Sequence, residues 1–214
     1  MANATISLIF LASGLLHTVT DYSGFVKPIK STNTSVVSYD ELHDEALFNC
    51  PFAKPTADNE AIISMLIDVE KKFNLPKQLR GMLLAAACHE SGFNPKAAGD
   101  HKFSKKKKAM AIGLFQMWPW WENHYKIDRT NPEQSATAYM SHVKSKLGKV
   151  KNQCGINKPD RLWVAAWATA IRAPKPEGRC NERPKFYRIL KRWHANIKIT
   201  KELENTCKDD TCGC

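Results

Sequence analysis

Glu90 ends an apolar stretch of the sequence, and its position predicts an acid that can donate a proton. Leu83 and Ala86 precede it at helical spacing, so Glu90 continues the stripe by which a helix would face its core. A carboxylate at the edge of an apolar stripe is costly to ionise, so we expect a raised pKa, which a general acid requires. The alternative is a glutamate that only forms a salt bridge near a helix end.

Two short blocks resemble the signature of lytic transglycosylases and goose-type lysozymes. Residues 90–95 read Glu-Ser-Gly-Phe-Asn-Pro, and residues 113–117 read Gly-Leu-Phe-Gln-Met, with Pro119 close behind. The family pattern is a Glu-Ser-Gly block with a nearby proline, followed by Gly-Leu-Met-Gln. Both blocks occur here in that order, and the resemblance covers about residues 60–195. It implies a mainly α, lysozyme-like single domain that acts on peptidoglycan.

The resemblance makes Glu90 the acid, and then the base, that cleaves the β-1,4 bond between N-acetylmuramic acid and N-acetylglucosamine. Asp100 resembles the first of two aspartates that goose-type lysozymes carry, and it is the candidate second catalytic residue. Trp118 and Pro119 occupy the position of the second aspartate. Lytic transglycosylases manage with one glutamate because the substrate's own 2-acetamido group and 6-hydroxyl complete the reaction. Transglycosylation is therefore favoured, hydrolysis stays open, and Asp100 could instead cap a loop.

The second block and the aromatic residues after it would line the substrate groove. In the family resembled, this turn hydrogen-bonds sugar amides or hydroxyls. Large aromatic side chains more often belong to a core, but three tryptophans within residues 118–121 are hard to bury together. We therefore expect at least one of them in the groove. The predicted substrate-binding residues are Ser91, Gly113, Phe115, Gln116, Trp118, Trp120, Trp121, Tyr125 and Trp167.

The family's third block, usually Tyr-Asn-Ala-Gly, is altered here. The corresponding residues 166–170 read Ala-Trp-Ala-Thr-Ala, so Trp167 takes the place of the tyrosine and Ala168 that of the asparagine. This departure removes a phenol that would contact the acid. It suggests an unusual substrate.

The charge of the chain favours anionic partners. Its 214 residues carry a net charge of +11, which attracts nucleic acid, acidic lipid or an anionic cell wall. The lysine run Lys105–Lys108 could grip anionic glycan, a peptide carboxylate or a wall polymer, or be a plain solvated loop. Nucleic-acid binding is a rival function, but export of the chain would argue against it. A catalytically inactive wall-binding or inhibitor module is another, which an intact Glu90 opposes.

Seven cysteines indicate an oxidising compartment, and hence a secreted or periplasmic protein. Cys88 lies inside the apolar helix and is expected to remain a buried thiol. The other six could form three disulfides, with the pairing left open. Metal binding by Cys207, Cys212 and Cys214 is an alternative, although their spacing matches no common zinc pattern. No metal or organic cofactor is implied, and we expect a monomer.

The chain divides into four predicted segments. Residues 1–24 contain a short apolar run and read as a signal peptide, although no Lys or Arg precedes Lys27; an uncleaved anchor or a structural first helix are the alternatives. Residues 25–57 read as an extended lead-in. Residues 58–200 form the catalytic domain, and 201–214 a cysteine-rich tail.

Helices dominate the predicted catalytic domain. Asp58 is expected to cap its first helix and Pro76 to open the one that ends at Glu90. Asn131 caps another, with Pro132 at its first position. Asp160 would cap the next, and a last long helix follows Pro184. A small β-ribbon could lie within residues 99–112.

Overall fold

The computed structural model describes residues 36–53, 55–103, 108–171 and 179–208, with side chains as far as residue 205. The predicted signal segment and residues 105–107 of the lysine run lie outside these ranges. So do the side chains of Cys207, Cys212 and Cys214. Across the described ranges, no helix combines the length and the apolar character that crossing a membrane requires.

The prediction of a mainly α fold with a small β-ribbon is confirmed. Strands β1 (Ala98–Gly99) and β2 (Ala111–Ile112) pair antiparallel, with Ala98 opposite Ile112. Short 3-10 turns occupy Lys77–Leu79 and His101–Phe103. The α-helices of the described residues are α1 Tyr39–Asn49, α2 Ala57–Lys71, α3 Met82–Ser91, α4 Pro119–Tyr125, α5 Pro132–Ser145, α6 Leu147–Cys154, α7 Pro159–Ile171 and α8 Tyr187–Lys208.

The predicted helix starts are partly confirmed. Asn131 caps α5 as expected, since its side chain accepts a hydrogen bond from the backbone N–H of Gln134. Thr56, and not Asp58, caps α2, because the Thr56 hydroxyl accepts from the backbone N–H of Asn59 at 3.2 Å. Asp160 is likewise in the first turn of α7 and not at its cap. Acidic side chains in the first turn interact favourably with the positive end of the helix dipole, even when they do not cap a backbone N–H.

The predicted extended conformation of residues 25–57 is wrong for α1. Ser38 and Glu41 form a capping box: the Ser38 hydroxyl accepts from the Glu41 N–H, and the Glu41 carboxylate accepts from the Ser38 N–H. Leu42 and Ala46 are fully buried where α1 packs on the domain. Because α1 has few apolar positions, the helical spacing of apolar residues is weak in its sequence. Only the Ser38–Glu41 capping box indicates a helix there.

Helix α3 lies at the centre of the core. Every residue from Met82 to Cys88 is buried, so the helix is covered on all sides and not only along one stripe. Helices α1, α2 and α8 all pack against it. Glu90 therefore sits where a fully buried helix emerges at the surface.

Glu70 of α2 caps the start of α3. Pro76 precedes only a 3-10 turn, and α3 itself begins after Gly81, which has a left-handed φ of 84° and no side chain to cap with. The Glu70 carboxylate accepts hydrogen bonds from the backbone N–H groups of Gly81 and Leu83 at 2.6 and 2.7 Å. Burial of this carboxyl group raises its pKa to about 7.

The described residues contain two disulfides, one that joins α1 to the domain and one within the domain. Cys50, at the end of α1, is bonded to Cys88 of α3, so the prediction of a buried Cys88 thiol is wrong. Cys154, at the end of α6, is bonded to Cys180. The first pairing was not foreseeable, because it depends on α1 packing beside α3.

Candidate active site

Glu90 occupies the last turn of α3, which stops at Gly92. Gly92 has a φ of 59°, and a side chain there would meet the backbone oxygen of Phe52 at 2.1 Å, so only glycine fits. Burial, followed by the nearby charge of Asp100, raises the pKa of Glu90 to about 7. The next residue, Ser91, donates its hydroxyl hydrogen to the backbone oxygen of Ala87 and so helps to close the helix.

The Gly113–Gln116 turn is held against the β-ribbon by backbone contacts. Gly113 has a φ of 76°, and its N–H donates to the oxygen of Ala97 at 2.9 Å. Gln116 also has a positive φ, 46°, and its side-chain amide donates to the oxygen of Gly113 at 3.1 Å. Since Gln116 is only half-buried, its remaining amide atoms can still meet a ligand at the mouth of the turn.

Arg129 supports this turn and is not among the predicted site residues. Its side chain is buried and donates to the backbone oxygens of Met110 and Met117 at 2.9 and 2.6 Å. It also forms an ion pair with Glu122 of α4 at 3.0 Å. Nothing in the sequence around Arg129 distinguishes it from a surface arginine.

Asp100 anchors Trp118. The indole Nε1 of Trp118 donates to Oδ2 of Asp100 at 3.0 Å, and the tryptophan ring packs on Phe103, with ring centres 5.6 Å apart. Asp100 is exposed and has a positive φ of 57°. Trp118 is 40% exposed, so a flat aromatic face is presented close to the two carboxylates. Phe103, which is 57% exposed and packs on Trp118, was not among the predicted site residues.

The other predicted aromatic residues divide into exposed and packed ones. Trp120 is 48% exposed and stacks on His124. Trp121 and Tyr125 stack on one another and are half-buried, so they support Trp120 more than they offer a surface. Phe115 is buried against Tyr139, with ring centres 4.5 Å apart, and is a core residue and not part of the groove surface.

Trp167 is also a core residue, which corrects its predicted contact with substrate. It is fully buried and packs on Phe186, with ring centres 4.2 Å apart. Its indole Nε1 donates to the hydroxyl oxygen of Tyr139 at 2.9 Å. Burial raises the pKa of Tyr139 well above its usual value, and the charge of Glu90 adds to the effect. A phenol therefore lies near the acid after all, supplied by α5 and not by the third block.

A pocket of about 140 Å³ opens beside Glu90. Ala168, which takes the place of the family's asparagine, contributes to its wall and leaves a methyl group where an amide would project. Other wall residues come from α3, α7 and the segment before α8: His89, Ile171, Arg183, Lys185 and Phe186. Within the described ranges, no three His, Cys, Asp or Glu side chains are grouped closely enough to hold a metal ion.

The structure thus places Glu90 at the end of α3, with Asp100 close enough for its charge to act on the acid, and holds the Gly113–Gln116 turn against the β-ribbon. The sequence model of the transglycosylase SLT domain matches residues 64–171, which include Glu90, the Gly113–Gln116 turn and Trp167. No curated protein and no solved structure matches the chain. The family match spans half of the sequence and agrees with the helical fold. The chain therefore belongs to the transglycosylase SLT domain family.

Proposed function

We propose that the protein is a lytic transglycosylase that cleaves the β-1,4 bond between N-acetylmuramic acid and N-acetylglucosamine in peptidoglycan. The observation that carries this proposal is Glu90: a half-buried carboxyl group with a pKa of about 7, at the edge of a pocket and within reach of the charge of Asp100. A group with this pKa holds its proton near neutral pH and can also accept one. The enzyme would act on glycan strands as an exported monomer, and the two disulfides support export.

In the first step, the Glu90 carboxyl group donates its proton to the glycosidic oxygen. The bond between this oxygen and C1 of N-acetylmuramic acid breaks as the sugar approaches an oxocarbenium ion. N-acetylglucosamine leaves as an alcohol, and Glu90 becomes a carboxylate. The negative charge of Asp100 disfavours that carboxylate, so it helps to keep the proton on Glu90 until the leaving oxygen takes it.

In the second step, the Glu90 carboxylate removes the proton of the muramic acid 6-hydroxyl, whose oxygen bonds to C1. The product carries a 1,6-anhydro ring, and Glu90 regains its proton. Hydrolysis would need a second carboxylate to direct water. One oxygen of Asp100 is already occupied by the Trp118 indole, and this arrangement favours a role in holding the aromatic face over one in activating water.

Hydrolysis in the manner of goose-type lysozymes is the second candidate, because Asp100 lies close enough to Glu90 for its charge to act on the acid. The products separate the two reactions. Purified cell walls are digested with the protein, and the fragments are examined by mass spectrometry. Transglycosylation predicts 1,6-anhydro ends, whereas hydrolysis predicts reducing ends, which are heavier by one water.

Glu90→Gln provides the test of the acid. The amide has nearly the same shape but no proton of suitable acidity, so cleavage should fall by at least the roughly 10²–10⁴-fold that general acid catalysis supplies. Wall binding and the folded state should be retained, as judged by co-sedimentation and circular dichroism. Residual turnover within about tenfold of the wild type would remove Glu90 from the role. Wild-type protein that binds walls without releasing any fragment would indicate an inactive binding module.

A further inference from the structure

The wall of the pocket beside Glu90 is built partly by residues outside the matched family segment. Arg183, Lys185 and Phe186 follow the matched residues 64–171 and precede α8. Phe186 is buried and contacts Trp167, while Arg183 and Lys185 are exposed at the pocket. This part of the pocket therefore lies outside the segment that the family model matches.

Several contacts fix this wall in place. The Cys154–Cys180 disulfide ties the start of the segment to the end of α6. The backbone N–H of Tyr187 donates to the oxygen of Pro184 at 3.0 Å, which closes the turn that leads into α8. The Arg183 guanidinium group lies over the ring of Tyr187, 5.3 Å from its centre. Together these contacts hold the basic side chains beside the pocket before any ligand arrives.

The charge at this wall is mainly positive. Burial, followed by the charges of Lys185 and Arg188, lowers the pKa of His89, so Lys185 lies close to this pocket residue, and Arg183 lines the same pocket. The acidic residue of the wall, Glu182, forms an ion pair with Arg179 at 3.4 Å. Within the described ranges, neither Arg183 nor Lys185 forms an ion pair with a carboxylate.

We infer that Arg183 and Lys185 form a subsite for a carboxylate carried by the lactyl arm of muramic acid, next to the bond that Glu90 cleaves. The inference rests on the proposed function. In peptidoglycan the carboxylate could be that of the lactyl group itself, on strands without peptides, or one of the stem peptide's. Arginine and lysine are the usual partners of both. A neutral glycan such as a chito-oligosaccharide would leave the subsite empty.

Binding is measured in the Glu90→Gln background, so that cleavage does not consume the ligand. The test variant adds Arg183→Gln and Lys185→Gln. The control adds Lys149→Gln and Lys151→Gln, which remove the same charge from the exposed surface of α6. Three ligands are compared by calorimetry: glycan oligomers freed of peptides by an amidase, the same oligomers with their carboxylates converted to methylamides, and oligomers that keep their stem peptides.

We expect the test variant to bind carboxylate-bearing oligomers roughly tenfold more weakly, a loss typical of one or two charge-assisted contacts at a partly exposed site. Binding of the methylamide oligomers should not change, and the control should resemble its parent with every ligand. A loss seen with peptide-free oligomers assigns the subsite to the lactyl carboxylate. A loss confined to oligomers with peptides assigns it to the stem. An equal loss with charged and neutralised oligomers, an equal loss in the control, or no loss would overturn the inference.

This experiment is independent of the cleavage test. If wild-type protein releases anhydro fragments but binds charged and neutralised oligomers equally, the proposed function stands and the subsite fails. If the variants show the expected charge dependence but wild-type protein cleaves nothing, the subsite stands and the proposed function fails.

Discussion

Trp167 and Tyr139 form a buried pair in which the indole Nε1 donates a hydrogen bond to the phenolic oxygen across 2.9 Å. In the family pattern a tyrosine occupies position 167, where its phenol would contact the acid. Here the tryptophan instead holds a phenol that comes from α5, and the charge of Glu90 acts on that phenol. The altered third block therefore keeps a phenol near the acid while changing which helix provides it.

The pair can be tested by a double-mutant cycle. Tyr139→Phe leaves the buried Trp167 N–H without its acceptor, so the free energy of unfolding should fall by about 1–3 kcal/mol. In the Tyr139→Phe background, Trp167→Phe should lower the free energy of unfolding by less than it does in the wild type, because it removes the N–H donor that was left without an acceptor. Urea unfolding of the four proteins measures the coupling. Strictly additive losses would mean that the hydrogen bond contributes nothing.

Cleavage should depend on pH through Glu90. Its pKa is raised to about 7, so the proton-donating form is populated below that pH, and kcat/KM should fall about tenfold per pH unit above it. Asp100→Asn removes a nearby negative charge and should move this decline to lower pH, since the carboxylate of Glu90 becomes easier to form. Initial rates on purified walls across pH 5–9 provide the profile, and an unmoved decline would show that Asp100 does not act on Glu90.

A second substitution at Asp100 separates its charge from its hydrogen bond. Asparagine can still accept from the Trp118 indole, whereas Asp100→Ala releases the tryptophan. We expect the alanine variant to show the same shift in pH profile and, in addition, a several-fold higher KM, because Trp118 loses its fixed orientation. Both variants should still release 1,6-anhydro fragments. Loss of turnover in Asp100→Asn, with binding retained, would instead favour a water-directing carboxylate.

Glu90 is also expected to lower the stability of the fold at neutral pH. The pKa is raised from 4.5 to about 7 on folding, so the folded state binds the proton more tightly, and stability declines as the pH rises between these values. Glu90→Gln should therefore be more stable than the wild type at pH 8, on the order of 1–3 kcal/mol, and equal to it at pH 4. Thermal unfolding at the two pH values checks this.

Glu70 offers a contrasting control, because its pKa is raised to about 7 as well. Its two oxygens accept the backbone N–H groups of Gly81 and Leu83, so Glu70→Gln would turn an amide nitrogen toward one of these donors. We expect this variant to lose about 1–3 kcal/mol at pH 8, where Glu90→Gln gains stability. If both variants change the free energy of unfolding in the same direction at pH 8, burial alone determines how these two carboxyl groups affect stability.

The Gly113 turn can be tested with a matched pair of glycines. A side chain at Gly113 would meet the backbone oxygen of Arg129 at 2.3 Å in a left-handed conformation, so Gly113→Ala should cost roughly 2 kcal/mol or more and weaken glycan binding. Gly148 of α6 has open space around it, and Gly148→Ala should raise stability by about 0.5–1 kcal/mol. Equal changes in stability for the two variants would mean that the Gly113 turn can shift at little cost in free energy.

The sequence predicted the helical class and the position of Glu90 because both depend on local patterns. The spacing of apolar residues before Glu90 and the cap at Asn131 are each contained within a few residues. The β-ribbon, residues 98–99 and 111–112, begins one residue before the predicted range of 99–112 and ends with it, because the chain between the two blocks must turn back within a short distance. The crowding of three tryptophans within residues 118–121 made joint burial difficult, and Trp118 and Trp120 are exposed; their contact with substrate stays a prediction.

What the sequence could not predict depends on contacts between distant segments. Burial of Trp167 and Phe115 requires Tyr139 to lie between α7 and the Gly113 turn, and no local pattern places it there. The Cys50–Cys88 bond requires α1, whose apolar face is too narrow to detect. Arg129 is recognisable only once the oxygens of Met110 and Met117 are seen to converge on it.

Helix α3 is secured at both ends by other parts of the chain: Glu70 holds its first turn, and Cys50 is bonded to its last. A partly folded or reduced chain would lack one of these attachments, so Glu90 would not yet be in its working position. We therefore expect activity to appear late during oxidative refolding, after α1 has docked. Under the proposed function, a newly made chain would become an active glycosidase only where Cys50 and Cys88 can be oxidised.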